Sequence, residues 1–346
     1  MPQNPAQPVP DHVPDPGPIL GYINAFRHSK TMFVATSLGV FDELERQPST
    51  AGQLAGRLAL NEDALERLLN GCVYLGLLER REATYSNTRV SSRYLVSSSP
   101  ATLAGYIVYS ERSLYPLWGH LADAVREGTN RWEQTFGSQT ALFDQFFRDD
   151  HAKEVFLTGM HGFGQLTSDA IVRVFDLNRF HTLADLGGAT GHLSVAACQE
   201  YPHMSAVVFD LAPVEAVARS YLSTVACGDR ISFVAGDFFQ DALPQADLYY
   251  LGRILHDWAE HKIHRLLGRI YEALPPNGAL LVGEAILGDD RLGPEYAVMQ
   301  SLNMLICTEG KERTAAEYEG LLRSAGFRTV EARRTGLALD AIIATK

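Results

Sequence analysis

His181-Thr182-Leu183-Ala184-Asp185-Leu186-Gly187-Gly188-Ala189-Thr190-Gly191-His192 runs from a short apolar segment into three glycines within five residues and then into a helical pattern. Glycine is the residue of choice where a backbone must take positive φ or lie close to a ligand, so the stretch predicts strand, tight turn, helix. The dinucleotide fingerprint GxGxxG is not met, because Leu186 stands where its first glycine would be. Downstream the alternation continues. Runs that predict strands are Ala206–Phe209, Ile231–Val234, Asp247–Leu251, Ala279–Glu284, Thr329–Ala332 and Leu339–Ala344, with helical patterns near 192–200, 212–224, 260–274 and 315–325. Strands alternating with helices predict βαβ units and an open α/β sheet. The last two runs have no helix between them and are expected to form an antiparallel hairpin at one sheet position.

In such a sheet ligands bind in the crevice beyond the carboxyl ends of the strands. Asp210 lies at the second strand's carboxyl end, about twenty residues beyond Gly191, where an acid accepts both ribose hydroxyls of a nucleoside. Leu211 follows it on the same rim. The third strand ends Gly236-Asp237-Phe238-Phe239. Asp237 can accept from an adenine amino group, and Phe238 can stack on the ring. Asp185, Gly187, Gly188 and Gly191 complete the expected nucleoside site.

The fourth strand ends Leu251-Gly252-Arg253-Ile254-Leu255-His256-Asp257-Trp258. An unperturbed histidine titrates at about pH 6.5, so His256 is expected to be largely neutral at pH 7 and able to take a proton. Arg253 is suited to pairing with a carboxylate of the bound cofactor. His261 and His264, on the following helix, read as a solvated face, so no metal is expected.

Upstream, Ile19–Leu38 reads as a helix stopped by Gly39. Thr50–Ala55 reads as a second helix, and Asn61 as the N-cap of a third that ends at Gly76. Leu77–Glu79 and Thr84–Asn87 then suggest a hairpin. Helix, helix, hairpin is a winged-helix pattern, but the helix that would read DNA opens with Glu62, Asp63 and Glu66 against Arg67. Residues 1–110 carry nine Lys/Arg against ten Asp/Glu, so dimerisation is the expected use rather than major-groove reading. The whole chain has a formal charge of −11, which disfavours nucleic acid. A non-catalytic ligand-sensing regulator remains the reading of a different class.

Four dispersed cysteines without a CxxC pair suit a reducing compartment. No apolar run is long enough to span a bilayer, and no signal pattern opens the chain, so a cytoplasmic location is expected. The first 18 residues hold seven of the 16 prolines and read as a disordered tail. The remaining divisions expected are 19–105 for dimerisation, 106–178 as a helical linker contributing to an acceptor pocket, and 179–346 as the catalytic domain. Residues 100–178 are rich in aromatics, among them Tyr106, Tyr109, Tyr115, Trp118, Trp132, Phe136, Phe143, Phe146, Phe147, Phe156 and Phe163.

Asp-x-Gly-Gly-x-x-Gly at 185–191 resembles the cofactor loop of class I methyltransferases. With Trp118–Gly128, Gly236–Phe239, Arg253–Trp258, Ser301–Leu305, Thr308–Thr314 and Ser324–Phe327, the chain resembles the plant-type small-molecule O-methyltransferases from about residue 20 to its end, and within them those acting on hydroxyindoles. The resemblance implies a winged-helix-like N-terminal domain forming a homodimer and a Rossmann-like domain that binds S-adenosyl-L-methionine. It implies His256 as general base, Glu284 and Glu312 as the acids that hold it, and Met160, Asp257, Asn303 and Met304 in the acceptor pocket. The implied reaction is in-line methyl transfer to the hydroxyl of a small aromatic acceptor. A hydroxyindole such as N-acetylserotonin comes first; a phenazine, polyketide or flavonoid-like phenol is the alternative. The segment Gly159–Gly164 departs from the pattern by lacking an expected tryptophan.

Overall fold

The computed structural model describes residues 14–137 and 150–346. The first thirteen residues of the proline-rich segment, with Phe143, Phe146 and Phe147, lie outside the described residues. The chain divides into two compact units, one ending at Ser98 and the other beginning at Ser99.

The first unit opens with a helix over Gly17–Ser37, with Pro18 in its first turn, where a missing N–H costs nothing. Gly39 takes φ +75° and starts a further helix, Val40–Arg46, which the sequence reading left out. Thr50 caps the helix Ala51–Leu58 in a reciprocal exchange with Gln53. Asn61 caps Glu62–Tyr74 by accepting from the Ala64 N–H at 2.9 Å. Three short strands, β1 (Ser49–Thr50), β2 (Leu78–Arg81) and β3 (Thr84–Asn87), pair antiparallel in the order β1-β3-β2. Phe41, Leu44, Leu54, Leu69, Cys72 and Tyr85 are buried within this unit. The first helix leaves Ile19, Leu20, Tyr22, Ile23 and Phe26 exposed, Tyr22 at 79%.

In the second unit, short helices from Ala104 to Phe136 and the long helix Asp150–Val174 precede a seven-stranded sheet. Its strands are β4 (Thr182–Leu186), β5 (Ser205–Asp210), β6 (Ile231–Ala235), β7 (Leu248–Gly252), β8 (Ala279–Glu284), β9 (Thr329–Arg333) and β10 (Asp340–Thr345), in the order β6-β5-β4-β7-β8-β10-β9. β4 to β8 pair in parallel, while β10 runs antiparallel between β8 and β9. The expected hairpin is therefore present, but it fills two sheet positions rather than one.

Side chains alternate across a strand, and here the alternation builds two cores. Leu183, Val208, Tyr250, Leu281 and Ala341 face one layer, with Leu157, Ile171, Val172, Leu193 and Ala197 from the helices Asp150–Val174 and His192–Glu200. Ala184, Phe209, Tyr249, Leu280 and Ile342 face the other, covered by Ile263, Leu267 and Ile270 of Glu260–Ala273 and by Tyr318 and Leu322 of Ala315–Ser324. With both faces covered, binding is left to the strand ends. The four cysteines are free and buried, and no helix among the described residues is long and apolar enough to cross a membrane.

Candidate active site

A cavity of about 1410 Å³, mouth included, opens at the carboxyl ends of β4 to β7. Beyond β4 the backbone turns through Gly187 at φ +69° and Gly191 at φ +79°. A Cβ at Gly187 would meet Ile254 Cδ1 at 2.6 Å, and one at Gly191 would meet Val208 Cγ2 at 2.8 Å. Both the dihedral and the space demand glycine. Gly191→Ala should therefore cost about 1–3 kcal/mol of stability, measured by urea unfolding; a neutral variant would contradict the turn as described.

Of the residues expected here, Gly187, Asp210, Leu211, Asp237, Phe238 and Arg253 line the cavity. Asp185, Gly188 and Gly191 do not. Asp185 shares the strand face of Leu183, and its carboxylate lies under Gly188, where an added Cβ would come within 2.6 Å of it. It accepts from Ser194 Oγ at 2.9 Å. Burial, then the nearby Asp210 carboxylate, raises its pKa to about 7. Asp185 shapes the turn instead of reaching the crevice.

Asp210 lines the cavity with both carboxylate oxygens anchored, Oδ2 by the Ala189 N–H at 2.8 Å and Oδ1 by the Leu211 N–H at 2.7 Å. Each oxygen keeps a lone pair for a further donor. Asp237 accepts from the Phe239 N–H and from Gln240, which fixes the rim on which Phe238 stands. Arg253 adopts φ +57°. Its guanidinium lies 4.7 Å over the Phe163 ring and donates to Met160 Sδ at 3.3 Å. Its Nε is buried without a hydrogen bond, and no carboxylate among the described residues lies within ion-pair distance of it.

His256 stands on the short turn Leu255–Asp257 after β7 and is 2% exposed. Glu284, the last residue of β8, accepts from the N–H groups of Ile254, Leu255 and His256 with one oxygen, Oε1. It thus aims the turn. Its Oε2 lies 3.2 Å from His256 Nδ1, and Glu312 Oε1 lies 2.6 Å from the same nitrogen. Two acids on Nδ1 keep the proton there, so Nε2 is left for the cavity, 3.6 Å from Asp257 Oδ1. Gly310 makes room for the arrangement, since a Cβ there would fall 2.2 Å from the His256 carbonyl oxygen. Burial opposes the imidazolium, but Glu284 and Glu312 overturn that and raise its pKa to about 10. The expectation of an unperturbed imidazole is corrected accordingly. The three side chains also lie close enough together to hold a metal, yet 2.6 Å is a charge-assisted hydrogen bond and too short for two ligands of one ion.

Met160, Asp257, Asn303 and Met304 all line the same cavity. The Trp118 indole N–H donates to Asn303 Oδ1 at 3.0 Å, which holds the amide in place. Tyr106, Tyr109 and Phe156 of the aromatic-rich segment share this wall; Trp132, by contrast, is packing, its indole bonded to the Cys307 carbonyl. The sequence reading missed Leu114, Cys307, Trp258, Gly164 and His192. Trp258 was within sight, two residues past His256; the others carry no local signal.

A seven-stranded sheet with this strand order and a reversed strand beside its last edge, cradling a ligand site over the β4 turn, defines a class I methyltransferase. The chain belongs to the O-methyltransferase family: residues 118–328 match the O-methyltransferase domain and residues 20–97 the O-methyltransferase dimerisation domain. It is similar to acetylserotonin O-methyltransferase of Bos taurus, 42% identical over 94% of this chain and 96% of the relative. The Gallus gallus enzyme of the same name is 42% identical, over 95% and 96%. The solved structure of human N-acetylserotonin methyltransferase in complex with its methyl donor superposes with a TM-score of 0.92, at 39% identity, over 98% of this chain and 99% of that one.

Proposed function

We propose that this protein transfers the methyl group of S-adenosyl-L-methionine to a hydroxyl of a small aromatic acceptor, with His256 as general base. The observation that carries the reading is the His256 ring clamped at Nδ1 by two buried acids, with Nε2 on the cavity that Asp210 and Arg253 also line. A regulator that only senses a ligand has no use for an oriented base.

The cavity's residues fit the cofactor. Asp210 would take the ribose hydroxyls, Phe238 the adenine, and Arg253, with its unsatisfied Nε, the carboxylate. Asp237 borders the adenine side. When bound, the sulfonium supplies an activated methyl group. Nε2 of His256 takes the acceptor's hydroxyl proton as the oxygen attacks, which matters because a phenol has a pKa of about 10. Glu312 and Glu284 hold the ring and stabilise the imidazolium that results. Met160, Met304 and the aromatic wall exclude water, while Asn303 and Asp257 offer hydrogen bonds that orient a flat acceptor.

A hydroxyindole such as N-acetylserotonin is the acceptor that the similarity to the bovine, chicken and human enzymes supports. A panel of hydroxyindoles and other phenols with labelled methyl donor tests it; transfer to none of them sinks the reading. Because burial raises the Asp210 pKa to about 6, cofactor affinity should fall as pH drops below that value, towards tenfold per unit. Titration with S-adenosylhomocysteine between pH 5 and 8 reads this, and a level curve removes Asp210 from the site. Asp210→Asn should bind weakly at every pH.

The first unit we read as a winged-helix-like module that pairs two copies in a homodimer. Its exposed Ile19, Leu20, Tyr22, Ile23 and Phe26 are the patch that favours self-association, and the matched dimerisation domain spans them from residue 20. Sedimentation equilibrium should give twice the chain mass, and Tyr22→Glu with Phe26→Glu should shift it towards the monomer. A monomeric wild type would end the proposal. We assign the unit that ends at Ser98, short of the expected residue 105, to dimerisation, residues 106–178 to the acceptor wall, and 179–346 to catalysis in the cytoplasm.

A further inference from the structure

His192 is the first residue of the helix after the glycine turn. It lines the cavity beside Gly164. A Cβ at position 164 would fall 2.2 Å from His192 Nε2 and 2.3 Å from Cε1, so the ring occupies the space that any side chain at 164 would fill. Its other nitrogen, Nδ1, lies 2.8 Å from Ser168 Oγ. The Ser168 hydroxyl has one hydrogen, and that hydrogen donates to the Gly164 carbonyl at 2.8 Å. Ser168 Oγ must therefore accept, which makes Nδ1 the protonated nitrogen. Nε2 is left with a lone pair, without a hydrogen-bond partner among the described residues, yet not sealed from the cavity.

Burial, followed by His161 and Arg253, keeps the ring neutral by holding its pKa down to about 3. The cavity thus presents two complementary groups at the glycine-turn end. One is a guanidinium without a carboxylate partner, the other a neutral imidazole acceptor. Together they match the two charges of an α-amino acid: the carboxylate for Arg253, the ammonium for a lone pair. A cationic side chain at 192 would repel that ammonium; burial keeps the ring neutral, and Ser168 sets which nitrogen keeps the lone pair.

We propose that His192 Nε2 accepts a hydrogen bond from the α-ammonium of the cofactor's amino-acid tail, making His192 a binding and specificity residue for that tail. The inference rests on the reading of this cavity as the S-adenosylmethionine site. It assigns Gly164 a purpose too, as the gap that admits the ring, and Ser168 the task of orienting it.

The test compares two probes, S-adenosylhomocysteine and its analogue with hydrogen in place of the ammonium, on the wild type, His192→Ala and His192→Gln. The wild type should prefer the amine by about ten- to a hundredfold, the range of one hydrogen bond to a charged group. His192→Ala should lose that preference while binding the deaminated probe as the wild type does. His192→Gln, which offers an amide oxygen, should recover part of it. Equal loss of both probes in His192→Ala would reduce His192 to a prop of the loop and overturn the proposal, as would a preference unchanged by substitution. Failure of the wild type to bind either probe would instead sink the cofactor reading itself. Should the alanine variant not fold, nitrogen-15 spectra of the wild-type imidazole decide. Nε2 must move from free to hydrogen-bonded acceptor with S-adenosylhomocysteine and stay put with the deaminated probe; the same response to both overturns the assignment.

Discussion

His256→Ala should lower turnover by about a hundredfold to ten-thousandfold, the usual contribution of a general base, while S-adenosylhomocysteine binds within a factor of two of the wild type. The separation is expected because the cofactor contacts proposed for Asp210 and Phe238 arise from the ends of β5 and β6, and the one proposed for Arg253, although it follows the same strand as His256, is made by a different side chain. Glu312→Gln should cost less. It keeps a partner for the Nδ1–H, at 2.6 Å in the native site, but removes one of the charges that stabilise an imidazolium. Glu284→Gln should be worse folded than Glu312→Gln, since Glu284 Oε1 also gathers three backbone N–H groups and one amide oxygen is a poorer anchor than a carboxylate. Single-turnover measurements with radiolabelled donor separate chemistry from product release. Near-native single-turnover rates in His256→Ala would remove the base from the mechanism.

Much of this site follows from the residues in order along the chain. A glycine turn after the first strand, acids after the second and third, and a histidine after the fourth must converge, because parallel strands place their carboxyl ends on one crevice. The convergence of Asp210, Phe238, Arg253 and His256 on one cavity was legible for that reason. Asp185 lies beneath the turn and not on the cavity wall, because it shares the strand face of Leu183. Glu284 and Glu312 touch His256 across 28 and 56 residues; no local pattern announces such contacts, and only resemblance to the family pointed to them. The pairing of Gly164 with His192 was out of reach because it depends on two helices meeting. Gly39 does stop the first helix, as its sequence position predicts, but nothing local announces that its left-handed backbone also starts another, Val40–Arg46. The imidazole's proton affinity was misjudged because it depends on those same distant acids.

That proton affinity has a kinetic consequence of comparable size. With its pKa raised to about 10, His256 is largely imidazolium at neutral pH and only the neutral minority accepts a proton. Acceptor kcat/KM at saturating donor should therefore climb through pH 7 and 8, approaching tenfold per unit, and level off only as pH nears the imidazole's own value. The sulfonium's positive charge brings that levelling to a lower pH than in the free protein, because a nearby cation disfavours the imidazolium. An unperturbed imidazole would level off above about 6.5. Ionisation of a free phenol would give a similar slope, so Glu312→Gln is the deciding comparison. Removing a carboxylate lowers the imidazole's pKa and moves the inflection to more acidic pH, whereas a phenol's own pKa stays fixed. Stability carries the same signature with a definite sign. A raised pKa means that the folded state holds the proton more tightly, so the contribution is complete below about pH 6.5 and is lost as pH rises through about 10. Wild-type stability should then decline over that window more steeply than that of His256→Ala, which has no such proton to lose. A pH–rate profile flat above 7, with no acid shift in Glu312→Gln, would mean that the two carboxylates orient the ring without raising its affinity for the proton.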